Sequence, residues 1–362
     1  MKTVEAIRLS HKKHLKIHND PEQAAKAVSL KYVNDAIPGI SRVKKGKGFA
    51  YISSGKPVKN KSEIKRIRKL VLPPAWTKVW ICPFEDGHLQ ATGIDALGRK
   101  QYKYHPLWQS LRNETKFHRM LEFGKALPAI RLQVEKDICS KELNERKVLA
   151  TIVSLMERTS IRVGNESYEK LYGSYGLTTL KDNHVAIKGS EMKFCFKGKK
   201  GIYHEISLKS QRLAKIVQAC RDIPGKELFQ YFDKEHNKKS IDSGSVNNYI
   251  KEISGQDFTA KDFRTWAGSV AILQCFRSIG NASTSNEIKK NVVAALDEVS
   301  KKLGNSRAIC KKYYVHPELV RLYEENSLGK YLDELEKLEQ CDNKTDLTND
   351  EKVLMKILKT LQ

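Results

Sequence analysis

Part-way along this chain of 362 residues the period of the apolar residues changes, and that change narrows the possible folds more than any single motif does. From Gly39 to about Tyr104 the apolar residues come in short runs between turns, the pattern of strands. Phe49-Ala50-Tyr51-Ile52 is one such run, and Val79-Trp80-Ile81 and His88-Leu89-Gln90-Ala91 flank the turn Glu85-Asp86-Gly87. One helix interrupts them, from Ser62 to Leu70, and Pro73-Pro74 stops it. From about Trp108 the period becomes helical. Leu149, Ile152, Val153 and Met156 fall at i, i+3, i+4 and i+7. Leu213 to Cys220 and Val246 to Ile253 mark two more helices, an apolar helix runs from Thr259 to about Phe276, and another from about Asn286 to Leu303. Three short strands over 184–187, 193–197 and 202–206 break into this half, with Gly198-Lys199-Lys200-Gly201 as the tip of their second hairpin.

The pattern predicts an α+β chain with no internal repeat. A basic extension covers 1–35, a small β-rich domain 36–106, and a larger, mainly helical domain with a three-stranded sheet 107–317. A charged helical tail follows over 318–362, with Asp342–Asp350 as a loop. In the first segment His11, His14 and His18 are spaced to lie near one helix face, as metal ligands would. No Cys or carboxylate of clear spacing accompanies them, so the segment is read as a solvated extension and no metal is expected.

Charge points to the partner. Lys and Arg number 66 against 42 Asp and Glu, a formal net charge of +24, and a surplus of this size favours a polyanion. Nucleic acid fits better than a membrane: no run of about eighteen apolar residues could span a bilayer, and the first residues lack the apolar core of a signal peptide. The seven Cys are odd in number and scattered, with no C-x-x-C pair. That predicts reduced thiols in a cytosolic or nuclear compartment, without disulfides or a zinc site.

Several stretches carry chemistry, each open to a plainer reading when taken alone. In Gly98-Arg99-Lys100-Gln101-Tyr102-Lys103-Tyr104-His105-Pro106 cations alternate with an amide and aromatics. Cations hold phosphates, and Gln and Tyr reach sugars or base edges, though an edge strand has the same look. Near the end, a Lys-rich helix stops at Gly304, a polar turn follows, and Tyr313-Tyr314 stand behind Lys311-Lys312. A phenol must lose its proton to attack phosphorus, and neighbouring cations favour that loss. Two half-buried tyrosines on an amphipathic helix would read the same way. Arg162, Lys199 and Arg264, taken singly, are a helix cap, a hairpin lysine and a buried ion-pair partner.

In order and local context these pieces resemble one family, the type IB DNA topoisomerases in the compact form of bacteria and poxviruses. The matching segments are Leu72-Pro73-Pro74-Ala75-Trp76, Gly98 to Tyr104, Arg162-Val163-Gly164-Asn165-Glu166, Phe196-Lys197-Gly198-Lys199, Thr259-Ala260-Lys261-Asp262-Phe263-Arg264-Thr265, and Leu303-Gly304-Asn305 to Tyr314. They run in family order from about 38 to 317, and six ordered segments are far more specific than one. The resemblance implies that Tyr314, nine residues after Asn305, is the nucleophile and Tyr313 its unreactive neighbour. It makes Arg162 and Arg264 the clamp on the scissile phosphate and Lys199 the general acid. Asn305 takes the fifth catalytic position, a histidine in poxviral and eukaryotic members. Arg99, Lys100, Gln101, Tyr102, Tyr104, Tyr168 and Lys261 are implied DNA contacts.

The implied activity is relaxation of supercoiled duplex DNA through a 3′-phosphotyrosyl intermediate. No P-loop or acidic triad is present for Mg²⁺ and ATP, so no cofactor is expected. At Asn305 a neutral amide cannot transfer a proton, so its NH₂ is expected to donate to a non-bridging oxygen; capping the turn after Gly304 is the plainer role. The resemblance also implies a monomer whose β-rich domain and helical domain close as a clamp around duplex DNA. Its expected location is the cytoplasmic nucleoid, or the nucleus if the source is eukaryotic. A tyrosine recombinase is the nearest rival, but recombinases typically carry His three residues before the second arginine, where this chain has Lys261. A non-catalytic DNA-packaging protein would explain the charge and not the ordered residues.

Overall fold

The computed structural model describes residues 9–332 and 345–361. The chain divides into two compact units, Met1–Arg119 and Met120–Gln362. The first contains α1 (His11–Ile17), α2 (Pro21–Lys26), β1 (Ile40–Lys45), β2 (Gly48–Ser53), β3 (Lys56–Pro57), α3 (Lys61–Lys69), β4 (Thr77–Ile81), β5 (Leu89–Ile94), β6 (Lys100–Tyr104) and the start of α4 (Pro106–Ile138). The division falls inside α4, later than the expected boundary at 106/107.

The strands form one antiparallel sheet in the order β3-β2-β1-β4-β5-β6. Asn60 caps α3 by accepting from the Ser62 and Glu63 amides. Ile67 of α3 is buried with Ile40, Val79, Ile81 and Ala91 of the sheet. Arg42 donates to the carbonyls of Leu72, Pro73 and Trp76, which fixes the proline turn after α3.

Residues 9–35 are not a solvated extension. Ser10 and Asp20 cap α1 and α2, and Ile17, Ala24, Ala25, Val28 and Leu30 are buried with Trp108 and Leu111 of α4. His14 is buried, hydrogen-bonded to Thr115 at 3.0 Å and stacked on His118 with 4.0 Å between ring centroids. His11 meets His118 with 3.2 Å between Nδ1 atoms. Lysines recur through this segment, yet the small and aliphatic residues between them are buried in one cluster. Among the described residues no group of three or more His, Cys, Asp or Glu is placed to hold a metal.

The second unit holds the rest of α4, with Pro128 inside it, then α5 (Glu145–Thr159), α6 (Glu166–Tyr172), β7 (Val185–Lys188), β8 (Glu191–Lys197), β9 (Tyr203–Lys209), α7 (Gln211–Arg221), β10 (Gln230–Phe232) and β11 (Lys238–Ser240). It continues with α8 (Ser243–Ser254), α9 (Ala260–Ile279), α10 (Ser285–Leu303), α11 (Arg307–Tyr313), α12 (Pro317–Glu324), α13 (Gly329–Leu332) and α14 (Asn349–Lys359). The expected three-stranded sheet is present in the order β7-β8-β9. The small ribbon β10-β11 gave no sequence signal, and the expected loop over 342–350 lies partly outside the described residues.

The centre of this unit is α5, whose residues from Val148 to Met156 are all buried. The tail helix α14 is fastened beside α9: Trp266 Nε1 and Arg131 both donate to Glu351, at 2.9 and 2.8 Å, and Gln274 donates to Asp350 at 2.8 Å. Gly124 of α4 lies beneath this contact, where an added Cβ would come within 2.5 Å of the Trp266 ring. No described helix is long and apolar enough to cross a membrane.

Candidate active site

All five candidate catalytic residues lie in the second unit, and they reach one place from separate parts of the chain. The organising element is the end of α10. Gly304 adopts the left-handed conformation (φ 57°) there, its N–H bonds the Lys301 carbonyl, and the Asn305 N–H bonds the Ser300 carbonyl. This is a Schellman cap, which turns the chain sharply and leaves the next carbonyls free to accept from elsewhere.

Both arginines use them. Arg264, in the second turn of α9, donates through Nη2 to Leu303 O at 2.8 Å and through Nη1 to Ser160 O. Arg162 donates through Nη2 to Gly304 O at 3.0 Å and to Asn305 Oδ1 at 2.7 Å. The carbonyl end of a helix carries partial negative charge, which offsets the placing of two cations together. Their proximity still bears on Arg162. Burial and then the Arg264 charge hold Arg162 down to about 10, and burial lowers Arg264 as well. The backbone at Arg162 is fixed in turn: Leu177 N and Thr178 N bond the carbonyls of Arg162 and Val163. At Gly176 an added Cβ would stand 2.6 Å from Arg162 O, so only glycine fits.

Tyr314 ends α11, with its N–H on the Cys310 carbonyl. Its ring lies under the Arg264 guanidinium at 5.3 Å. Its carbonyl packs against Gly268 of α9, where an added Cβ would meet it at 2.5 Å, and accepts from Ser269 Oγ at 3.4 Å. Lys199 stands in the β8–β9 turn, closed by Gly201 N on Gly198 O and by Lys200 in a left-handed conformation (φ 62°).

A cleft of about 320 Å³ is lined by Arg162, Lys199, Arg264 and Tyr314 together, with Tyr168 and Lys261 on its wall. Tyr314, not Tyr313, faces this space; Tyr313 has the Lys312 ammonium 5.3 Å from its ring. Asn305 does not line the cleft. It is tied to the site through Arg162, and its Nδ2 is a buried donor without a hydrogen-bond partner among the described residues, as is Arg264 Nε. A phosphate oxygen reaching such donors would satisfy them. Sequence reasoning missed Tyr175, Ser243 and Asn247, which also line the cleft; nothing in their local pattern marks them.

The remaining expected DNA contacts are on β6 and at Arg99 just before it, in the first unit, and most are engaged within that unit. Arg99 pairs with Asp95 at 2.6 Å, Gln101 Nε2 donates to the same carboxylate at 2.9 Å, and Lys100 pairs with Asp35 at 2.6 Å. The Arg99 hydrogen bonds hold the Asp95 carboxyl down to about 2. Tyr102 and Tyr104 stack in parallel at 6.0 Å on one face of the strand, and Tyr102 is half exposed.

Over residues 105–342 the chain matches the family model of the eukaryotic DNA topoisomerase I catalytic core, and over 48–95 that of the bacterial DNA topoisomerase IB N-terminal domain. The chain belongs to the type IB DNA topoisomerases. All five candidate residues of this topoisomerase lie inside the matched core. It is 32% identical over 297 residues to the DNA topoisomerase 1B of Acanthamoeba polyphaga mimivirus, covering 80% of this chain and 88% of that one. The DNA topoisomerase 1B of vaccinia virus is 25% identical over 237 residues, covering 65% and 72%. The DNA topoisomerase 1 of Daucus carota is 27% identical over 197 residues, but these make up only 23% of its length. Membership makes the chain a DNA topoisomerase acting on DNA, and leaves the roles of single residues to the geometry.

Proposed function

We propose that this enzyme relaxes supercoiled duplex DNA by cutting one strand with Tyr314 and resealing it, with neither nucleotide hydrolysis nor an obligatory metal. One observation carries the reading: a tyrosine, a half-buried arginine, a buried arginine and a lysine share one cleft. The Tyr314 phenol gives its proton to solvent, its oxygen attacks phosphorus, the bond to the 5′-oxygen breaks, and the cut strand is left as a 3′-phosphotyrosyl ester. Charge grows on the non-bridging oxygens, where Arg162 and Arg264 face it with fixed guanidiniums. Neither arginine releases a proton readily, so Lys199 supplies the one the departing 5′-oxygen takes up. An ester replaces an ester, and the return attack of the 5′-hydroxyl restores the strand. In the interval the free end swivels and supercoils are lost.

The test is relaxation of plasmid of either supercoil sign in EDTA without ATP, followed by mapping of the peptide bound to DNA after a denaturing quench. Full activity and an adduct on Tyr314 are expected. An absolute requirement for ATP, or an adduct on Tyr313, would overturn the reading.

A further inference from the structure

Against the turn that leads into Asn305 lies a polar ring that this scheme leaves unused, that of His204. It belongs to β9, opposite Phe196 of β8, and stacks on the Phe196 ring with 5.1 Å between centroids. Its Nε2 corner is wedged between two glycines from distant parts of the chain. A Cβ added at Gly198 would stand 2.5 Å from His204 Cδ2 and 2.6 Å from Nε2; one added at Gly304 would stand 2.3 Å from Cε1 and 2.9 Å from Nε2. These glycines directly precede Lys199 and Asn305. Gly198 has an ordinary backbone (φ −91°), so the approach of the ring, rather than the conformation, requires glycine there. Gly304 is also the residue whose carbonyl accepts from Arg162.

Neither ring nitrogen of His204 has a hydrogen-bond partner among the described residues, so the ring is not held for a bond it makes. Burial, then the charges of Arg162 and Arg264, lower its pKa, which keeps it uncharged beside them. What it supplies is thickness.

We propose that His204 is a positioning residue for the proton donor: its ring spaces the Lys199 hairpin from the Gly304–Asn305 turn, so that the donor to the leaving oxygen and the clamp on the phosphate are held in one register. The inference rests on the reading of Lys199 as general acid. A displacement of about 1 Å in such a group slows a reaction on the order of 10²-fold without touching the chemistry itself.

The experiment measures single-turnover cleavage of a duplex carrying either oxygen or sulfur at the 5′-bridging position, since a thiolate departs without a proton. His204→Ala is expected to slow the oxygen substrate about 10–10²-fold, to slow the sulfur substrate far less, and to leave non-covalent DNA affinity unchanged. Gly198→Ala, allowed by its backbone and pressing the ring from the other side, should show the same selectivity, and it keeps the test open if His204→Ala fails to fold. His204→Phe retains a ring and should recover most of the rate. Equal slowing on both substrates, or none on either, overturns the proposal. Lys199→Ala run in parallel separates the two readings: if sulfur fails to rescue it, the general-acid assignment has failed, and if sulfur rescues it but not His204→Ala, only the positioning role has.

Discussion

Asn305→Asp should make the protein more stable and much less active. Arg162, half-buried, and Arg264, buried, lie side by side, and the hydrogen bonds described for them run to the Ser160, Leu303 and Gly304 carbonyls and the Asn305 amide, with no carboxylate. An aspartate at 305 keeps the 2.7 Å acceptor of Arg162 and adds the missing charge. A hydrogen bond of about 1 kcal/mol then becomes one of roughly 1.5–3 kcal/mol, and the repulsion between the arginines is relieved. Desolvation of the carboxylate takes back part of the gain, leaving about 1 kcal/mol, or a rise in Tm of roughly 2–4 °C for a unit of this size. The same change removes the Nδ2 donor and neutralises one arm of the phosphate clamp. Loss of one such donor slows reaction about 10²–10³-fold, and the neutralised arginine adds to it. Asn305→Ala serves as the control, losing the bond and the donor, so Tm and rate should fall together. Calorimetry and single-turnover cleavage on the same preparations decide the matter. An Asp variant that cleaves as fast as the parent would show that Asn305 neither holds the clamp nor donates to phosphate.

Tyr314→Phe should keep DNA binding and lose both relaxation and the covalent adduct, whereas Tyr313→Phe should retain substantial activity in a plasmid assay. Lys199→Ala should slow cleavage by about 10²–10⁴-fold on an oxygen substrate, with most of the loss recovered when the bridging atom is sulfur. His14 is pushed down to about 4 by burial and by His118 and His11, below the ordinary value of about 6.5. The unfolded chain therefore binds the proton more readily: stability is full above pH 6.5 and falls as pH drops towards 4. Tm measured against pH should fall less steeply over that window in His14→Gln than in the parent.

The core elements were legible because they are local. Apolar spacing located α5, α7 and α8, and glycine turns located the β8–β9 hairpin, since each signal lies within a dozen residues. The packed state of residues 9–35 was not legible, because the partners that bury Ile17 and His14 are Trp108, Leu111 and His118, far along the chain. The run of α4 from Pro106 to Ile138, through the division between the units and past Pro128, was not legible either. At the site, residue types and order pointed to Arg162, Lys199, Arg264 and Tyr314, which the cleft brings together. No spacing rule could show that Asn305 bonds Arg162 across 143 positions, or that His204 fills the gap between two glycines. For β6 the sequence showed its cations and not the acids, Asp35 and Asp95, that already hold them.

One face of α9 presents Arg264 and, a turn later, Gly268 and Ser269, which grip the main chain of Tyr314. On the proposed scheme this has a kinetic consequence. Once the strand is cut, its 3′ end is fixed to a residue whose main chain is packed against the same helix that carries Arg264 of the clamp. Only the 5′ end is left to wander, so resealing is a one-sided search with a stationary target. The number of turns released per cut is then set by how long that single end takes to return, a property of the torque in the DNA and its friction against the protein. Loosening the Tyr314–α9 contact would make both partners mobile, and breaks would outlast the supercoils that drove them.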